Sequence, residues 1–245
     1  MYLSLEILII VILIIVQSVF GVGLLLFGTP SFLLLGYDFP NTINILMPIS
    51  ITISLFQFFK SNVSDKKFII DYNLFCLPFL VAFLILVLNF REFINFKFYV
   101  AILLIASSAI ILNIKKKSSF KNIFLKFKKL IFIFIGCVHG FSNMGGSFLS
   151  IYSTIISQNK KELSRYYISY AYLIMGVIQY LIVLFLTFDN LNFSKLFYLL
   201  IVLLIYLPAQ KIFKNISNKD FSKIINVIAL LYGFIILSSI FFELS

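Results

Sequence analysis

Apolar residues run through this chain in stretches far longer than a soluble core requires. Segments at 5–23, 41–59, 72–90, 97–113, 166–187, 195–213 and 222–242 approach or exceed the length needed to cross a ~30 Å hydrocarbon layer as helices, at 1.5 Å per residue. They do not alternate apolar with polar positions, as the run Ile7–Val16 shows, so the strand pattern of a membrane barrel is excluded. Two apolar pieces, 31–37 and 147–157, reach only about half the thickness of that layer. A third, 130–140, leads into the second of them.

Each short piece follows a break rich in glycine and small polar residues: Gly21–Ser31 (GVGLLLFGTPS) and His139–Ser147 (HGFSNMGGS). Such residues are poor in helix interiors, because they raise backbone entropy or compete for backbone hydrogen bonds. In hydrocarbon a broken helix survives only where protein or a polar cavity surrounds it, so a break at membrane depth points to a binding site. Both breaks run into a Ser-Phe-Leu triplet, Ser31–Leu33 and Ser147–Leu149. After each comes a polar connector and a full-length apolar segment. The expected organisation is two repeats offset by about 115 residues: 1–113, a basic linker 114–129, and 130–245.

Charge decides how these segments thread. If 130–157 crossed completely, eleven Lys and Arg would lie on the side of the central linker and nine on the other. If it dips in and returns, the split becomes seventeen to three, with Arg91, Lys97 and Lys195 alone on the far side. The excess of basic residues in cytoplasmic loops favours the second arrangement. Each repeat then holds one re-entrant hairpin and three spans, and an odd number of spans inverts the second repeat. The expected fold is an all-α polytopic membrane protein of two inverted repeats, in the cell (inner) membrane, with the linker cytoplasmic. Phe120, Ile123, Phe124 and Phe127 recur there at helical spacing among lysines, which predicts an amphipathic helix on anionic lipid.

Composition agrees: 62% of the 245 residues are hydrophobic and 12% charged, about half the charge of a soluble domain. The net charge of +11 is accounted for by the cytoplasmic bias and does not call for nucleic acid. The first twenty residues lack Lys and Arg, so the basic start of a cleaved leader is missing and the first run is expected to stay. Cys76 and Cys137 sit in apolar segments and imply no disulfide framework.

The motifs Gly21, Gly23, Gly28, Thr29 and Pro30 in the first half, Gly140–Ser147 in the second, and the late pattern Leu207–Leu237 resemble the TauE/SafE family of sulfite and sulfonate exporters. Leu24, Leu25 and Leu26 stand where that family often has further glycines. The resemblance implies a secondary transporter that exports a small sulfur-containing or organic anion.

The residues give their own reading of the ligand. All nine carboxylates lie near segment ends, so no buried acid offers a cation site at depth. Hydroxyls, amides and backbone N–H groups remain. Helix starts near 31 and 147 would turn unpaired N–H groups and a positive dipole end toward the membrane interior, which favours an oxyanion. Candidate substrate-binding residues are Ser142, Asn143, Gly145, Gly146 and Ser147 in the second break, Gly28, Thr29, Pro30 and Ser31 in the first, and Asn44 beside it. Asn143 either donates to a ligand or caps a helix. The serines cap or touch substrate, Thr29 and Pro30 fit a helix start, and the glycines allow close approach or a tight turn. His139, the one histidine, is the candidate proton carrier or else a neutral, hydrogen-bonded packing residue. Arg165 attracts anions to the inner mouth or serves topology alone. No catalytic set, metal site or cofactor is expected, since one histidine without mid-membrane acids lacks the means for acid–base or metal chemistry. An anion channel and a non-transporting assembly subunit are the alternatives.

Overall fold

The computed structural model describes residues 2–113, 117–158, 160–188 and 193–217, together with Val227, Phe234 and Ser238. The described residues form helices α1 (Tyr2–Phe20), α2 (Leu24–Leu34), α3 (Phe39–Phe59), α4 (Lys66–Phe90), α5 (Phe96–Asn113), α6 (Lys117–Lys126), α7 (Lys128–Ser142), α8 (Gly145–Ile156), α9 (Lys161–Thr187) and α10 (Tyr198–Asn215). Most of the expected span 222–242 lies outside the described residues. The protein is an all-α polytopic membrane protein, with four helices long and apolar enough to cross a bilayer: α3, α4, α9, and α10 with the turn before it.

Both expected breaks are hairpin turns. In the second, α7 and α8 fold back on each other through Phe134 against Phe148 and Phe132 against Tyr152, ring centroids 4.9 and 5.0 Å apart. In the first, Leu13 of α1 meets Gly28 of α2, and the Tyr37 hydroxyl donates to Glu6 Oε2 at 2.9 Å. The two hairpin bases lie at opposite ends of the bundle. Glu6 accepts from Lys195 just before α10 and from Tyr198 at its first position, whereas Lys128 pairs with Asp71 near the start of α4. Lys161, which follows α8, donates to the carbonyls of Phe213, Lys214 and Ile216 at the end of α10.

The centre is α3 against α9. Phe58 stacks on Tyr166 at one end, and Gly176 meets Met47 and Ile51 farther along, so the helices run antiparallel. Around them α4 packs on α7 and α1 on α10. Gly136 and Gly140, four apart on one face of α7, lie against the backbone of Cys76 and Leu80, the small-residue contact that lets membrane helices touch.

Three backbone and side-chain features recur 122 residues apart (21 and 143, 36 and 158, 57 and 179), against the expected offset of about 115. Gly21 and Asn143, with φ of 77° and 64°, are the left-handed residues that end α1 and α7; Gly36 and Gln158, at 87° and 53°, end the hairpins. Gln57 Nε2 donates to the carbonyls of Gln17 and Ser18 at the end of α1, and Gln179 Nε2 to that of His139 at the end of α7. Each glutamine satisfies helix-end acceptors that have no water to turn to. The repeated Ser-Phe-Leu triplets therefore occupy different registers. Ser147 is in the first turn of α8, but Ser31 is deep in α2 and Pro30 is inside that helix, so the expected helix start at 31 is replaced by one at Leu24. Pro30 is tolerated because neighbouring helices bury this stretch completely.

Candidate functional site

The second turn carries the clearest chemistry. Asn143 adopts the left-handed conformation that asparagine tolerates, and its N–H closes α7 on His139 O at 2.8 Å. That frees its side chain, whose Nδ2 donates to Thr29 Oγ1 of α2 at 2.9 Å. Two residues expected at one site are thus joined across 114 positions. The turns themselves are held apart, the first beside Gln57 and Arg165 and the second beside Gln179.

α8 starts at Gly145 with no side-chain cap from Met144. The first N–H groups of a helix have no intrahelical partner and carry the positive end of its dipole. Against this first turn rests the Tyr172 hydroxyl of α9, so close that a Cβ on Gly146 would overlap it. Tyr172 is fully buried and its hydroxyl has no hydrogen-bond partner. His139, also fully buried, meets the Tyr172 ring edge-on at 6.0 Å, and neither ring nitrogen is partnered. Asn143 Oδ1 and Gln179 Oε1 are buried and unpartnered too. Buried polar groups are rarely left so, and here they concentrate around one helix start.

The remaining sequence candidates divide by what their atoms already do. Ser31, Ser142 and Ser147 donate their hydroxyl protons to the carbonyls of Phe27, Val138 and Met144 at 2.7–2.8 Å. Such back-bonded hydroxyls offer only lone pairs to a neighbour, which suits a helix in hydrocarbon more than an anion. Gly28 lets α2 approach Leu46 of α3 and Leu13 of α1, and Gly145 fits against His139 and the Ile135 carbonyl. Asn44 is buried on α3. The groups left to attract negative charge are the α8 N-terminus, the Tyr172 hydroxyl, His139 and the second Asn143 amide proton.

Tyr172 was not a sequence candidate. Two other tyrosines of α9 are engaged elsewhere: the Tyr166 hydroxyl accepts from Asp65 N, and the Tyr170 hydroxyl donates to Asn73 Oδ1. The signal for Tyr172 lies in Gly146, whose missing side chain makes room for it. Among the described residues no group of three or more His, Cys, Asp or Glu side chains is placed to hold a metal ion.

No curated protein and no solved structure matches this chain. The family model for the sulfite exporter TauE/SafE matches residues 6–236, nearly the whole length, and the chain belongs to that family.

Proposed function

We propose that this protein exports a small sulfur-containing or organic anion of the sulfite or sulfonate class by alternating access of two inverted repeats, 1–113 and 130–245. Membership makes it a membrane transporter of the sulfite-exporter type. The observation that carries the finer reading is the uncapped start of α8 with the unpartnered Tyr172 hydroxyl against it. Hydrogen-bond donors without a facing carboxylate suit an oxyanion. Hairpins entering from opposite ends, with matching glutamine clamps, support two halves that rock about α3 and α9. Export of a monovalent anion from a negative-inside cell gains about 2.3 kcal/mol per 100 mV, so voltage alone can drive it.

The test is flux of labelled sulfite, sulfonates and small carboxylates in proteoliposomes. Tyr172→Phe and Asn143→Ala are each expected to raise the half-saturating concentration about tenfold or more, as for a lost hydrogen bond to a charged group. Unchanged flux in both would remove the site. Saturation and counter-transport separate a carrier from a channel, and a protein without flux alone is an assembly subunit. His139 is the proposed proton carrier: its replacement by Gln should flatten the pH profile of transport, and a preserved profile removes it from the mechanism.

The charge partition supports a cytoplasmic basic end. Lys60, Lys66, Lys67, Lys128, Lys160 and Lys161 flank helix termini gathered there. α6 belongs to that end: Phe124 packs on Ile151 and Ile155 of α8, while Ile123 and Phe127 are 51% and 45% exposed. We place this apolar edge on the inner leaflet, held by anionic lipid. Phe127→Ser with Ile123→Ser should weaken recovery of transport in anionic liposomes more than in neutral ones, and equal behaviour in the two lipids would refute the contact.

A further inference from the structure

At the basic end the first hairpin turn faces a second polar environment, at the opposite end of α8 from its Gly145 start: Ser164 donates to Ser153 Oγ near the end of that helix at 3.0 Å. Arg165, in the second turn of α9, is only 8% exposed. Its Nη1 donates to Gln210 Oε1 at 2.9 Å, and its guanidinium lies 3.7 Å from the Phe213 ring centroid. Among the described residues no carboxylate reaches ion-pair distance from it. A guanidinium carries five donors, and a buried charge without a counter-charge costs several kcal/mol unless something completes it.

Next to Arg165 is Gln57, whose Oε1 is buried without a partner. The two meet across Gly21, where a Cβ would sit 3.2 Å from Arg165 Cγ and 3.6 Å from Gln57 Oε1. Both line a cavity of about 180 Å³ with Lys60, Asn62, Glu162 and Tyr166. One water needs about 10–15 Å³ on that measure, so a small oxyanion fits with water to spare. Lys60 is exposed at the rim. Two cations against the single carboxylate of Glu162 leave one positive charge in the lining. That balance suits a monoanion and penalises a dianion. The free acceptor on Gln57 asks for a donor on the same ligand.

We propose that this cavity binds a monovalent oxyanion bearing its own hydrogen-bond donor, of the hydrogensulfite or hydroxysulfonate type, as a second anion site. It depends on the transport reading only for the sulfur chemistry of the ligand. Its walls are tied to the moving part. Gln57 and Gln210 donate to the carbonyls of Gln17 and Ser18, which lead into the Gly21 turn. An anion drawn to Arg165 therefore sits at the hinge of the first hairpin before reaching α8.

The experiment is equilibrium binding of radiolabelled hydrogensulfite and of labelled sulfate to the full-length chain in nanodiscs. The intact protein is expected to show two saturable components for hydrogensulfite, with sulfate weaker by about tenfold at the Arg165 component. Arg165→Gln should weaken that component about ten- to a hundredfold and leave the one that Tyr172→Phe weakens. A folded Arg165→Gln protein with unaltered binding overturns the proposal. A protein in which Arg165→Gln alone matters keeps this site and removes the α8 site, so the two readings fail separately. If Arg165→Gln does not fold, Asn62→Cys decides: protection from a charged, membrane-impermeant thiol reagent by hydrogensulfite supports the cavity, and labelling at the same rate with and without the anion overturns it.

Discussion

Gly140→Leu is expected to yield almost no folded protein, and Gly140→Ala to lower the melting temperature of the solubilised chain sharply. Gly136 and Gly140 bring α7 onto α4 so closely that a Cβ at either would run into the main chain of Cys76 or Leu80. Main-chain atoms inside a packed helix cannot step aside as a flexible side chain can. Overpacking a tight core costs about 1–3 kcal/mol and more where nothing yields, so Gly140→Ala belongs at the upper end of that range. The paired change Gly136→Ala with Gly140→Ala should separate α4 from α7. Gly36→Ala is the control, because nothing lies within 4 Å of its Cβ although its φ is 87°. Its cost is the left-handed backbone alone, about 1–2 kcal/mol. Melting followed by gel filtration in detergent ranks the three alanine variants. Gly140→Ala melting above Gly36→Ala would mean that α4 and α7 are not in backbone contact.

The same glycines show how far the sequence could be read. Two half-length apolar pieces behind glycine-rich breaks gave the hairpins their places, and the basic residues separated a returning hairpin from a span. These signals are local in composition or additive along the chain, so one sequence carries them. The expected offset of about 115 residues differs from the 122 that separates the left-handed turn residues. The Ser-Phe-Leu triplets match as letters, whereas the equivalent positions are Gly21 with Asn143 and Gly36 with Gln158. Equivalence there is a matter of backbone conformation, which glycine adopts freely and asparagine at small cost, so residue identity conceals it. The glutamine clamps were hidden for a related reason. Gln57 and Gln179 read as polar residues near helix ends, and their purpose appears only when a hairpin carbonyl is brought to them.

The candidate site was legible at Asn143 and Thr29, one of whose side chains reaches the other. It was not legible at Tyr172, and at Arg165 the sequence left an anion attractor and a topology charge as alternatives. Tyrosine near a membrane surface and arginine beside a basic loop are common enough that neither stands out. Their burial, and the absence of a partner for the tyrosine hydroxyl, arises from packing between distant segments. The serines show the converse. Expected either to cap a helix or to touch substrate, Ser31, Ser142 and Ser147 spend their protons on their own helices, the usual resort of a hydroxyl deprived of water.

Glu6 carries the second large effect. Its position close to the start of the chain suggests a carboxylate that reaches water, yet it is 4% exposed. It accepts from the Tyr37 hydroxyl at 2.9 Å, from Lys195 Nζ at 2.8 Å and from the Tyr198 hydroxyl at 2.7 Å. This cluster joins the base of the first hairpin to the turn before α10, at the end opposite the basic loops. Glu6→Gln leaves the Lys195 ammonium without its counter-charge and asks one amide to satisfy three donors. Removing one partner of a buried pair costs about 3–5 kcal/mol; Lys195, 15% exposed at a helix end, can recover some hydration, so about 2–4 kcal/mol is expected. Replacing both charges by Glu6→Gln with Lys195→Met removes the stranded ammonium and should recover part of the loss, while Lys195→Met alone strands the carboxylate but keeps its tyrosines. The double-mutant cycle, read from melting of the solubilised protein, isolates the ionic contribution. If the double variant melts no higher than Glu6→Gln, the tyrosine hydrogen bonds and not the charge pair hold the first hairpin to α10.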